Sequence, residues 1–151
     1  MTNAAQATNE TLQVLGGSYE FKATGADTAN EYTLVEVRAQ KDFAIPMHVH
    51  DNENEGFFVV SGSVRLVIDD QIRDVGAGEF AFAPSGTPHA FKLSSDDAAL
   101  LLMISPGAHG HEGMFREMAD KPGAPSAPPE LETLARIAGK HGTRIVGAPP
   151  A

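Results

Sequence analysis

Cysteine is absent from this chain. That excludes disulfides, thiolate nucleophiles and sulfur-ligated zinc, so a bound metal must be held by nitrogen and oxygen donors. Basic residues are scarce: 11 Lys and Arg face 20 Asp and Glu, a formal net charge of −9. Nothing forms a basic stripe, so neither nucleic acid nor an anionic membrane surface is an expected partner. No apolar run approaches the length of a membrane span. Met1–Thr11 is polar and lacks the positive and apolar regions of a secretory leader, so the expected location is cytoplasmic. Strand–helix alternation is missing as well, which argues against doubly wound and (β/α)8 architectures. At 151 residues the chain suits one domain whose core needs no covalent staple. The expectation is a protein that acts on, or binds, something small.

What is present reads as an all-β sandwich or barrel. Met1–Thr11 is expected to be a disordered arm, residues 12–106 the β domain and residues 107–151 a helical extension packed on it. Tyr32–Arg38 alternates, with Thr33, Val35 and Val37 on one face and Tyr32, Leu34 and Glu36 on the other. Gly56–Val60, Val64–Ile68, Ile72–Val75, Phe80–Ala83, His89–Leu93 and Leu100–Ile104 are further strand candidates, separated by Gly, Pro, Ser and Asp turns. After Ser105-Pro106-Gly107 a short helix is predicted over Glu112–Asp120, then a Pro-rich connector from Pro122 to Pro129. A second helix is predicted over Glu130–His141, with Leu131, Leu134, Ala135 and Ala138 on one face and His141 complementing the helix dipole. Thr143–Val146 reads as an edge strand.

The chemistry concentrates in Pro46-Met47-His48-Val49-His50-Asp51-Asn52-Glu53-Asn54-Glu55-Gly56. In an extended strand residues i and i+2 share a face, so His48 and His50 can grip one cation. Glu55 has the wrong parity for that strand and opens the next one after a polar turn. Glu53 is the rival carboxylate, but its place in the turn points it toward solvent. His89, after the rigid Pro84-Ser85-Gly86-Thr87-Pro88 turn, is the fourth candidate. Three imidazoles and one carboxylate suit Fe, Mn, Co, Ni, Cu or Zn, and an octahedral ion would keep two positions open.

These residues resemble the cupin superfamily. Its first motif, G-x5-H-x-H-x4-E-x6-G, is matched by His48, His50, Glu55 and Gly62. Its second, G-x5-P-x-G-x2-H-x3-N, is matched by Gly78, Pro84, Gly86 and His89. Asp42 stands where the first motif opens with Gly, and Leu93 where the second closes with Asn. The resemblance implies a small jelly-roll (double-stranded β-helix) barrel, a single divalent transition metal ion and a homodimer.

A narrower resemblance joins the chain to single-domain quercetin 2,3-dioxygenase-like cupins. It rests on Pro46-Met47-His48-Val49-His50, Glu55–Gly62, Ser105-Pro106-Gly107, the short helix around Phe115, the Pro-rich connector and the ending Ile145–Pro150. What it implies is a metal-dependent dioxygenase: a substrate enol or phenol oxygen binds the metal, Glu55 accepts its proton as general base, and dioxygen attacks the activated ring. Two alternatives stay open. One is an oxygen-independent isomerase, cyclase, decarboxylase or lyase using the metal as a Lewis acid; the other is a non-catalytic small-molecule-binding cupin. Phe58 replaces a Tyr common in these relatives.

Met47, Phe57, Phe82, Phe91 and Met103 are expected to line the substrate pocket. His109 and His111 repeat the H-x-H spacing, but the glycines around them predict a flexible loop, so neither is expected to hold the metal; a place at the border of the pocket mouth stays open for both.

Overall fold

The computed structural model describes residues 9–107, 110–121 and 129–151. Within them the order is β1 (Thr11–Val14), β2 (Gly17–Ala23), β3 (Thr33–Arg38), β4 (His48–His50), β5 (Asn54–Ser61), β6 (Ser63–Ile68), β7 (Gln71–Gly76), β8 (Phe80–Ala83), β9 (His89–Leu93) and β10 (Ala99–Ser105). Then follow α1 (His111–Met118), α2 (Leu131–Lys140) and β11 (Thr143–Ile145). The strands form a six-stranded sheet, β1-β2-β3-β10-β5-β8, and a five-stranded sheet, β11-β4-β9-β6-β7. All assigned pairings are antiparallel. This is the mostly β, two-sheet architecture expected of a jelly roll, with two short helices near its C-terminal end.

Strand parity decides what faces the core. In β3, Thr33, Val35 and Val37 are buried while Leu34 and Glu36 are half-covered, as the alternation predicts. In β5 the inner set is Glu55, Phe57 and Val59, and Phe58 and Val60 are exposed. In β8 the alanines Ala81 and Ala83 point inward and Phe80 and Phe82 outward. Phe21, Val35, Val37, Leu66, Phe91 and Leu93 form part of one continuous core between the sheets.

Two motif departures explain themselves. Asp42 has φ +74°, the left-handed region that glycine enters freely and Asp tolerates better than most residues. Its N–H donates to the carbonyl of Leu93 at 2.9 Å, and the Leu93 N–H donates to Phe43 at 2.9 Å. The two departures are therefore neighbours in one backbone link, and Leu93 is fully buried there. Gly62 has φ +70°, and a Cβ on it would lie 2.7 Å from the Ala98 backbone nitrogen. Both conditions require the glycine of the motif.

The extension folds back over the open end of the sandwich. Helix α1 begins one residue earlier than predicted and ends two before; Ala119 leaves it in extended conformation and bridges Val14. Phe115 packs edge-to-face on Tyr19, with ring centres 4.9 Å apart. On α2 the covered face runs through Leu134, Ile137 and Ala138, an i, i+3, i+4 set. Leu131 and Ala135, predicted on that face, stay exposed. Strand β11 pairs with β4 so that Thr143 lies opposite His50. Residues 1–8 of the predicted arm and most of the Pro-rich connector lie outside the described residues.

Candidate metal centre

Strand β4 is three residues long, and all three are buried. Its i, i+2 spacing sets His48 and His50 side by side, with ring centres 4.7 Å apart. The only register pair joining β4 to β9 is His48 opposite His89, and their rings lie 4.3 Å apart. Glu55 comes from β5 in the other sheet, so the cluster spans the interior between the sheets. His48, His50, Glu55 and His89 each place one ligand-type atom within 4.8 Å of the others. All four side chains are buried.

The imidazoles are oriented from behind. His48 Nδ1 lies 2.8 Å from the Pro46 carbonyl, His89 Nδ1 2.9 Å from the Thr87 carbonyl, and His50 Nδ1 2.8 Å from the Thr143 hydroxyl. A carbonyl only accepts, so His48 and His89 carry a proton on Nδ1, whereas a hydroxyl can fill either role. His89 Nε2 reaches Glu55 Oε2 at 2.7 Å. His50 Nε2 lies 3.1 Å from the same oxygen, yet it has no hydrogen-bond partner among the described residues. A buried imidazole nitrogen left unpaired is costly unless something occupies its lone pair. That orphaned atom, facing a carboxylate and two more imidazoles, fits a cation held by nitrogen and oxygen donors.

The charge states of His48, His50 and Glu55 agree with this fit, whereas His89 would give up a proton to the ion. Burial pushes the pKa of His48 down to about 3 and that of His50 down to about 4, so both are neutral and ligand-ready at pH 7. Burial alone would raise the Glu55 carboxyl, but His111, His50 and His89 outweigh it and hold Glu55 well below the ordinary range. His89 shifts upward: burial opposes the charged ring, and the Glu55 hydrogen bond and charge overcome that.

The structure corrects the reading of two residues. Glu53 is 4% exposed rather than solvent-facing, and Oε1 lies 2.9 Å from His111 Nδ1. His111 is 2% exposed, not part of a flexible loop. It is the first residue of α1, its ring lies 3.9 Å centre to centre from that of His50, and its Nε2 is 3.7 Å from Glu55 Oε2. Both had a signal. Glu53 and Glu55 are two apart, and His111 shares a helical face with Met114 and Phe115, at i+3 and i+4. Burial lowers the His111 pKa, but Glu53 and Glu55 together push it up to about 9. His109 lies outside the described residues.

Beside this cluster is a cavity of about 60 Å³. His48, His50, Glu55 and His111 supply its polar wall, and Tyr19, Ile45, Phe91, Leu102, Met114, Phe115 and Leu134 are among its apolar lining. Of the five residues expected to form the pocket, Phe91 lines this cavity. Phe57 is buried behind the cluster, with its ring 5.6 Å from that of His89. Phe82 and Met103 are 50% and 44% exposed; strand parity turns them to the outer face of the six-stranded sheet, so neither lines the cavity. Met47 lies under the C-terminal tail, its carbonyl accepting from the Val146 N–H at 2.8 Å. Phe58 also faces outward, 38% exposed, so a Tyr hydroxyl there would point away from the cluster.

Residues 35–105 match the family model described as Cupin domain. A quercetin 2,3-dioxygenase of Bacillus subtilis is 30% identical over 89 residues, covering 59% of this chain and 26% of that protein. Oxalate decarboxylase OxdC of the same organism is 26% identical over 114 residues, 72% of this chain and 29% of that protein. The chain thus spans less than a third of the length of either relative. Among solved structures, a B. subtilis oxalate decarboxylase studied for its Mn(II) centres superposes on 100% of this chain and 44% of its own, with TM-score 0.65 and 20% identity. The polyketide cyclase RemF of Streptomyces resistomycificus superposes on 70% of this chain and 79% of its own, with TM-score 0.55 and 23% identity. These two likenesses are of fold. No helix among the described residues is long and apolar enough to cross a membrane.

Proposed function

Residues 35–105 are a cupin domain, and from that premise we propose that this chain is a metal-dependent enzyme, a dioxygenase acting on a small enol or phenol. His48, His50, His89 and Glu55 would hold one divalent transition metal ion. The observation that carries the metal is the convergence of four buried ligand-type atoms within 4.8 Å of one another, with His50 Nε2 making no hydrogen bond of good geometry and its ring anchored from behind. Bound there, the ion would supply Lewis acidity toward an oxygen of the substrate and a site for redox chemistry with dioxygen.

The chain's own residues divide the remaining work. The Pro46 and Thr87 carbonyls and the Thr143 hydroxyl fix the three imidazoles. Among the described residues Glu55 is the one carboxylate lining the cavity, and it is held ionised, so it is the group placed to take a proton from a substrate hydroxyl. The apolar wall from α1, α2 and β1 keeps water away from that proton. Substrate size follows from the cavity. At about 60 Å³ it is far below the roughly 300–1,000 Å³ of sites for drug-sized ligands. A compact substrate fits this reading better than a three-ring flavonol.

The similarity to oxalate decarboxylase over 72% of the chain favours one second reading, oxygen-independent chemistry on a small acid at the same centre. Oxygen uptake separates the two. Protein loaded separately with Fe, Mn, Co, Ni or Cu would be given quercetin, small enols and catechols in an oxygen electrode. Uptake that needs the metal and disappears in Glu55→Gln supports the dioxygenase. Product formed in a sealed anaerobic vessel replaces it with the second reading.

A further inference from the structure

The four-residue centre of the preceding reading leaves His111 without a task, although it is buried within the same cluster. Its setting repeats that of the other three imidazoles. Each has Nδ1 on an oxygen: Pro46, Thr143 and Thr87 for His48, His50 and His89, and Glu53 Oε1 at 2.9 Å for His111. Each of His50, His89 and His111 then directs Nε2 toward one atom, Glu55 Oε2, at 3.1, 2.7 and 3.7 Å. A carboxylate behind the ring of a histidine whose other nitrogen faces a cation is the recurrent support of metal-bound imidazole. We infer that His111 is a fifth ligand of the metal centre, delivered by α1, with Glu53 as its positioning residue. Binding of the ion at Nε2 displaces to solvent the proton that this nitrogen holds against Glu55 in the metal-free fold.

The local build is specific to that outcome. Glu53 is tied down on its other side by the backbone N–H groups of Gly110 and His111 at 3.2 and 3.4 Å. The same carboxylate therefore fixes both the start of the helix and the ring that the helix carries. Glu112, the next residue, accepts from the Gly25 N–H at 2.7 Å and from the Thr33 hydroxyl at 2.9 Å, which locks α1 onto the β2–β3 side of the sandwich. Phe115 packs edge-to-face against the His111 ring, with centres 5.5 Å apart. A second cluster of possible ligand atoms, His50, Glu53 and His111, has His50 in common with the first.

The consequence is a change in what the centre can accept. Three imidazoles and one carboxylate on an octahedral ion leave two positions for outside ligands, whereas a fourth imidazole leaves one. A substrate would then bind the ion through a single oxygen unless His111 withdraws. This rests on the metal reading above, and the test separates the two. Pulsed EPR on the full chain loaded with one equivalent of Cu(II) counts bound imidazoles through their remote nitrogens. Four in the wild type and three in His111→Ala, restored to four by free imidazole, is the expected result. Glu53→Gln is expected to weaken Cu(II) retention about 10- to 100-fold against a competing chelator. Three imidazoles in the wild type, a count that needs no variant to fold, overturns the assignment of His111 and leaves the four-residue centre standing. Cu(II) that shows no specific site at all, with His48→Ala no different from wild type, removes the metal reading and this inference with it.

Discussion

Thr143 lies opposite His50 in the β4–β11 pair, and its hydroxyl stands 2.8 Å from His50 Nδ1. Valine has nearly the same shape and no hydroxyl, so Thr143→Val tests the contact without opening a cavity. His50 Nδ1 would be left buried and unpaired, at a cost of about 1–3 kcal/mol in urea unfolding. Metal affinity should fall roughly 10- to 100-fold, because the ring loses the partner that sets its orientation. Unchanged affinity, measured by competition with a chromophoric chelator, would show that β4 orients His50 unaided.

The same side chains set an acid and an alkaline limit for metal-stripped protein. His48 and His50 have pKa values near 3 and 4 in the fold, against about 6.5 in an unfolded chain. Between those values the unfolded chain binds protons that the fold refuses, so stability falls as pH drops below about 6.5. Glu53 and Glu55, both held low, act in the same direction at still lower pH. His111 works oppositely. Its pKa is near 9, so its contribution is complete below about 6.5 and is lost as pH rises through 9. His89, also shifted upward, adds to that alkaline loss. Urea midpoints of stripped protein should therefore be higher near pH 6.5 than at either pH 5 or pH 9. A steady rise across that range would contradict the ion pairing around His111.

At the scale of elements, α1 is the part of the centre that strand logic could not deliver. His48 and His50 were legible because i, i+2 parity on one strand is a local rule. Glu55 and His89 were legible because motif spacing ties them to the turns before β5 and β9. His111 depends on a helix crossing back over the sandwich end, and nothing local in Gly107–Gly113 announces that crossing. Its glycines suggested mobility, yet Gly110 has a packing reason: a Cβ there would sit 2.1 Å from the His141 carbonyl oxygen and 2.9 Å from Glu53 Oε1. Gly110→Ala should therefore push the start of α1 away from Glu53. Overpacking of this kind costs typically 1–3 kcal/mol, and the Cu(II) EPR of this variant should resemble that of His111→Ala. A wild-type spectrum with wild-type stability would mean that the helix start yields without cost. The pocket residues illustrate a different limit. Phe82 and Met103 are expected at the pocket, but Ala81, Ala83, Leu102 and Ile104 occupy the inner face, and strand parity turns their neighbours to the outside.

For the whole molecule, the centre ties together pieces that are far apart in sequence. His48, His50 and His89 belong to the five-stranded sheet and Glu55 to the six-stranded one, while His111 and Thr143 come from the extension. An ion held by these groups would cross-link both sheets and the helical cover, and it would bind the folded chain in preference to the unfolded one. At free metal 100 times the dissociation constant, linkage stabilises the fold by about 2.7 kcal/mol. For a domain of this size each kcal/mol moves the melting temperature by about 2–4 °C. Loading should therefore raise the midpoint by roughly 5–10 °C, and an excess of chelator should reverse the rise. The pattern among variants carries the argument further. His48→Ala should abolish the rise, because it removes a donor from the pair that links β4 to β9. Thr143→Val should reduce the rise at fixed metal concentration and recover it at higher concentration, because it weakens binding without deleting a donor. A rise that survives His48→Ala in full would place the ion elsewhere on this acidic surface, and the buried cluster would then be a polar core network.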